Sequence, residues 1–421
     1  MAGILADTTP LRSPHFRRLW SANIITVIGA QLTVVVVPAQ IYFITGSSAY
    51  VGLAGLFGLV PLVVFGLWGG ALADIIDRRI LLIATTLGLI GCSALFWLQA
   101  ASGVDNVWVI LTLFAVQQAF FAVNQPTKSA ILPKIVEIKD LPAANSLNMT
   151  VMQAGAIAGP VLGGALIKPL GYSTLYLVDT IFLFATLWAV IRLPSLKPER
   201  SADAPRVAGF RSVVDGFVYL RGHKVLMASF VVDLIAMIFG MPRALFPEMA
   251  HESFGGPDGG GIAFALLFAA IGAGAVVGGV FSGWVSRVER QGLAVIVCIL
   301  IWGASITGLG IVVAFAGGSA LPMLPIAVAL LMIGGAADMA SAAFRQSMLQ
   351  SAANDDVRGR LQGVFTVVVA GGPRIADVAH GGVAGTAGVA VTTAGGGIGV
   401  IVFTVVAALA IPAFVRYRIT R

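Results

Sequence analysis

Residues Val51–Ala73 read VGLAGLFGLVPLVVFGLWGGALA, a run without one charged side chain. A bilayer core about 30 Å thick is crossed by roughly 20 apolar residues in helical form, so this run is long enough to span it. A barrel strand would be about ten residues long and would alternate apolar with polar positions. No such alternation occurs, and the segment predicts a transmembrane helix over 50–73. Runs of the same kind fall at 20–44, 80–101, 106–124, 144–167 and 173–192, and again at 225–247, 261–284, 292–315, 322–343, 361–384 and 394–415. The predicted fold class is an all-α membrane protein with twelve transmembrane helices.

Composition agrees. Of 421 residues, 58% are hydrophobic and only 11% charged, where soluble domains carry roughly 25%. The first nineteen residues hold Arg12, Arg17 and Arg18 but no apolar core, so no cleavable leader is expected. Cys92 and Cys298 both fall within predicted helices and read as packing residues.

The formal charge of +7 is spread along the chain. Arg12, Arg17 and Arg18 precede the first run, Arg78 and Arg79 follow the second, and Lys128, Lys134 and Lys139 follow the fourth. The largest group lies between Arg192 and Lys224, followed by Arg287 and Arg290, then Arg345, Arg358 and Arg360, then Arg416, Arg418 and Arg421. The intervening loops hold Lys168 and the acids Asp105, Glu252 and Asp258. Under the positive-inside rule the basic loops are cytoplasmic. Both termini are then cytoplasmic, the positive balance records topology, and no nucleic-acid partner is expected.

The chain turns polar over 193–223, with Pro194, Pro198 and Pro205, and there Phe210, Val213, Val214, Phe217, Val218 and Leu220 have helical spacing. The reading is two six-helix bundles, 1–192 and 224–421, joined by a cytoplasmic linker with a short amphipathic helix. Gly159-Pro160 recurs as Gly372-Pro373 and Gly70 as Gly283, both 213 residues on, and Lys128 and Arg345 lie 217 apart. Together these spacings argue for an internal duplication, a plan that places a substrate site near the midplane.

The stretch Gly70-Ala71-Leu72-Ala73-Asp74-Ile75-Ile76-Asp77-Arg78-Arg79 resembles the signature between helices two and three of the major facilitator superfamily. That signature usually has Gly before the basic pair and Arg after the first Asp, where this chain has Asp77 and Ile75. The resemblance implies a gating motif of Gly70, Asp74, Asp77, Arg78 and Arg79. Gly155, Gly159, Pro160, Gly163 and Gly164 in helix five resemble a motif associated with exporters and antiporters; small residues at this spacing let helices approach closely. A narrower resemblance, to the enterobactin exporter family of siderophore secretion proteins, rests on Asn124-Gln125-Pro126-Thr127-Lys128-Ser129-Ala130-Ile131-Leu132-Pro133, on Asp77-Arg78-Arg79, on Arg358-Gly359-Arg360 and on Gly371-Gly372-Pro373-Arg374-Ile375-Ala376-Asp377.

A charge at the centre of a membrane helix costs about 2.5–3.5 kcal/mol on insertion scales, so those retained usually face a cavity, a partner or a proton path. Asp233, Asp338, Asp377 and His380 are the proton-coupling candidates. Arg374, Asp377 and His380 recur at intervals of three, which places them on one helical face. Asp179 and Arg243 sit nearer predicted helix ends and read as structural. Arg374 or Arg243 could meet an anionic catecholate, and Asn23, Gln31, Gln117, Gln118, Asn148 and Gln153 are further substrate-binding candidates. Structural ion pairs and interhelical hydrogen bonds are the plainer alternatives for all of these groups.

The expected function is proton-coupled export of a small organic molecule, a siderophore on the narrower resemblance, by a monomer in the bacterial cytoplasmic membrane. No catalytic residue, cofactor or metal is implied. Broad efflux of drugs or lipophilic compounds is the alternative within transport. A lipid-modifying enzyme would need a reactive constellation, for which Asp377 with His380 is the only nearby pair.

Overall fold

The computed structural model describes residues 7–73, 75–197, 218–257, 260–352 and 355–418. Among these, ten helices are long and apolar enough to cross a membrane. One of them, Ile138–Ile191, has 54 residues, about 80 Å of helix at 1.5 Å per residue. It breaks at Gly171 (φ 74°, ψ 165°), a backbone conformation open to glycine and strained for any side chain. It therefore supplies two crossings. With Asp355–Ala387, which is amphipathic and less apolar than the rest, the long helices number twelve.

They are α1 (Pro14–Thr45), α2 (Ser48–Ala73), α3 (Arg78–Ala101) and α4 (Val107–Ile135). Next come α5 (141–170) and α6 (172–191), on either side of the Gly171 break. The second series is α7 (Lys224–Gly240), α8 (Ile262–Val280), α9 (Gln291–Phe315), α10 (Met323–Ala352), α11 (Asp355–Ala387) and α12 (Val389–Ala410). Large apolar side chains such as Val402, Phe403, Val406 and Leu409 on α12 stand exposed, as expected of a surface solvated by lipid tails.

Packing divides the chain into two units. The first is Met1–Val37 with Val60–Gly209, and the second is Pro38–Leu59 with Phe210–Arg421. The end of α1 and the start of α2 thus pack with the second series. Within each unit the duplicated Gly-Pro steps do the same work. A Cβ on Gly159 of α5 would lie 2.1 Å from Cβ of Gln31 on α1, and one on Gly372 of α11 would lie 3.0 Å from Cβ of Met237 on α7.

The helix ends that depart furthest from expectation are those of the fourth and tenth helices, and the seventh, predicted to reach 247, stops at Gly240. The spacing predicts that the fourth helix ends at 124, whereas α4 continues to Ile135 through Pro126 and Pro133. Membrane helices tolerate proline where neighbours satisfy the freed backbone groups. Lys128 and Lys134 are therefore helical residues and not loop cations. The tenth helix is predicted to stop at 343, but α10 runs to Ala352, which takes Arg345 out of a loop and buries it at 5% exposure. In both cases a charge read as marking the membrane edge has its partner inside the protein. The predicted linker helix falls largely in 198–217, and with Asp74 it lies outside the described residues.

The turn into α3 ties the first unit together. Asp77 caps α3, its carboxylate accepting from the N–H of Arg79 (2.9 Å), the N–H of Leu196 (3.1 Å) and the hydroxyl of Ser195. Arg78 donates to the carbonyl of Ala130 (3.2 Å) in α4, and Arg79 to that of Ile191 (2.6 Å), the last residue of α6, where a cation complements the helix dipole. Partial burial pushes the Asp77 carboxyl up, but the bonds from Ser195, Leu196 and Arg79 and the Arg79 charge outweigh it and hold the group below the ordinary 3.8. A depressed value means that the charged carboxylate stabilises the fold above that ordinary value, and that the contribution is lost as pH falls through the folded value. Asp77→Ala is expected to lower stability by about 1 kcal/mol at pH 7, the usual cost of losing a cap. The deficit should shrink near pH 3. Thermal unfolding of both proteins at the two pH values checks this; equal stability at pH 7 would count against the cap.

Candidate functional site

The embedded charges of the second unit form two groups. In the first, Arg345 on α10 donates through Nη1 to Oδ1 of Asp233 on α7, and its Nη2 lies 3.9 Å from Oδ1 of Asp338, two turns earlier on α10. Asp233 and Arg345 are almost wholly buried, whereas Asp338 keeps 28% of its side chain exposed. This geometry is a closed ion pair with a looser second carboxylate beside it.

The second group gathers on α11. Asp377 is faced by the positive charges of Arg374 and Arg243, and the backbone N–H of Ala244 donates to it. Arg243 was expected to be structural or substrate-binding; here its charge acts on Asp377 together with that of Arg374, and also on Asp338, so that it links the two groups. Two glycines of α2 let that helix lie directly on this part of α11. A Cβ on Gly52 would stand 2.4 Å from the Asp377 carbonyl, and one on Gly55 would stand 2.8 Å from the Asp377 Cβ. His380 does not join them. It is buried, a ring N–H bonds the Phe239 carbonyl, and the ring packs against Gly396. The predicted single face of Arg374, Asp377 and His380 is thus divided, because three-residue steps drift around the helix and His380 turns toward α7 and α12.

Near this group are contacts that the sequence does not disclose. The hydroxyl of Tyr42 donates to Glu252 (2.9 Å) and that of Ser48 donates to Glu248. All four residues belong to the second unit. Partners 210 and 200 positions apart leave no local signal, although Glu252 stands out as an acid in a loop otherwise short of charge.

In the first unit the embedded acid is Asp179, expected near a helix end and found at 2% exposure. Thr33 and Ser93 both donate to its Oδ2 at 2.9 Å, while its Oδ1 has no hydrogen-bond partner and faces Gly29. No cation pairs with it among the described residues. Asn23 accepts from the ammonium of Lys128 at 3.1 Å. Gln31 backs onto Gly159, Gln117 and Gln118 are buried within α4, Asn148 is half-buried and Gln153 is exposed. Of the predicted polar set in this unit, Asn23 is brought to a charge, the ammonium of Lys128.

Twelve long helices with charges sequestered among them define a transporter of the major facilitator class. The chain belongs to the transmembrane secretion effector family, whose model matches residues 5–416. It is 27% identical over 415 residues to enterobactin exporters of Shigella boydii and Escherichia coli, covering 97% of this chain and 94% of each relative. Similar solved structures include a peptide transporter of the POT family (TM-score 0.75, 12% identity, 98% and 96% of the two chains). A variant of the nucleoside transporter NupG is also similar (TM-score 0.71, 13% identity, 95% and 99%). At such identities these structures speak for the fold alone.

Proposed function

We propose that this chain exports a siderophore or closely similar iron-chelating organic molecule across the bacterial cytoplasmic membrane, with protons moving inward and both termini on the cytoplasmic side. The observation that carries the reading is the similarity to enterobactin exporters along 97% of the chain. Arg374 and Arg243 supply the positive charge that an anionic chelator would meet, and Asp377 between them is the carboxylate best placed to exchange a proton as substrate comes and goes. Asp233, held by Arg345, is the candidate with least freedom to do so.

Culture medium from iron-limited cells with and without the gene tests the substrate. Loss of a siderophore from the medium supports the reading. Unchanged siderophore with slower efflux of a lipophilic dye would replace it by broad drug export. Coupling is tested in proteoliposomes with Asp233→Asn, Asp338→Asn and Asp377→Asn. Asp377→Asn is expected to reduce substrate-driven proton flux most, and unchanged flux in all three would sink proton coupling through these groups. Arg374→Gln should weaken substrate binding about tenfold, on the order of 1.4 kcal/mol; unaltered affinity would remove Arg374 from the site.

A further inference from the structure

Lys128 and Arg345 occupy the same place in the two halves. Each stands seven residues before the end of its helix, α4 at Ile135 and α10 at Ala352. Their partners correspond as well: Asn23 and Asp233 each stand nine residues after the first residue of their helix, Pro14 in α1 and Lys224 in α7. In the second unit this arrangement is a neutralised pair, Arg345 with Asp233. In the first unit an amide oxygen replaces the carboxylate, so Asn23 accepts the hydrogen bond at 3.1 Å without cancelling the charge. Among the described residues no carboxylate pairs with Lys128.

A cation left without a counter-charge in a membrane helix is costly. The second half shows that one carboxylate at the Asn23 position would remove that cost. Part of the Lys128 side chain stays exposed while its ammonium is buried, and an ammonium has three donors of which Asn23 takes one.

We propose that Lys128, oriented by Asn23, is an oxyanion-binding site of the first unit that takes the carboxylate or phenolate of a small aromatic acid. The inference rests on the export reading for its substrate class, but the site stands or falls by a separate measurement.

That measurement uses the full-length protein in lipid nanodiscs, with 2,3-dihydroxybenzoate and its uncharged amide as probes. The wild type is expected to bind the acid about tenfold more tightly than the amide. Lys128→Gln should abolish the preference by weakening the acid alone, and Lys128→Arg should retain it. Asn23→Asp should abolish it as well, by installing the ion pair of the second half. Amide affinity and melting temperature in each variant show that the fold is intact. A wild type without acid preference, or a preference that survives in Lys128→Gln, would overturn the proposal. Acid preference without siderophore secretion would keep the site and lose the exporter reading; secretion without preference would do the reverse.

Discussion

Asp233→Ala is expected to destabilise the protein by about 3–5 kcal/mol, the cost of breaking a buried ion pair from one side. The reason lies in what remains. Arg345 is 5% exposed, its Nε already lacks a partner, and among the described residues its one other carboxylate is Asp338 at 3.9 Å, beyond hydrogen-bond distance. Without Asp233 the guanidinium stays buried among Leu226, Phe230 and Leu349 with its charge uncompensated. Asp338→Asn removes a partly exposed and more distant charge, and should cost well under half as much. Replacing both members of the pair, as in Asp233→Leu with Arg345→Met, should recover most of the loss, because an apolar pair of similar volume leaves nothing unsatisfied. Thermal unfolding of the four proteins in one detergent orders them. Asp233→Ala as stable as Asp338→Asn would show that the pair is not the closed unit described.

That pair also marks the limit of what the sequence discloses. Helices were legible because each must bury its backbone in hydrocarbon with apolar side chains over a fixed length, a constraint that acts locally. The Gly171 break and the close approaches of Gly159 and Gly372 follow from glycines in plain view. Helix ends were less legible. Lys128 and Arg345 look like membrane-edge cations by composition, and only the partner across the bundle, Asn23 or Asp233, shows that they lie within helices. Asp179 has the same history: two hydroxyls, from α1 and α3, receive it in the interior, and neither is near it in sequence. Spacing along one helix can suggest a shared face, as for Arg374, Asp377 and His380. Which neighbour each side chain meets depends on other helices, and there His380 went its own way.

Gly159→Leu is expected to abolish assembly of the first unit, and the reasons separate it from its neighbours in the same motif. A Cβ at Gly159 would sit 2.1 Å from Cβ of Gln31 and 3.2 Å from the Gln31 backbone, atoms that no rotamer change can move. At Gly155 the obstacle is a methyl of Val27 at 2.2 Å, which a rotation of that side chain relieves in part. At Gly163 the nearest atoms are at 3.4 Å, ordinary contact. Overpacking usually costs about 1–3 kcal/mol, and more where backbone must shift. The predicted order of damage on substitution by Ala is therefore Gly159, then Gly155, with Gly163 nearly neutral. Gly274 provides a reference in the second unit, since its Cβ would fall 2.0 Å from the Met332 carbonyl oxygen. Gly91, with nothing within 4 Å, provides the opposite one, where Ala should stabilise the helix by up to about 1 kcal/mol. Yield of folded protein by size exclusion, followed by unfolding temperature, ranks the series. If Gly159→Ala and Gly163→Ala behave alike, close helix approach is not what the motif supplies, and its role would have to be sought in the movement of α5 during transport.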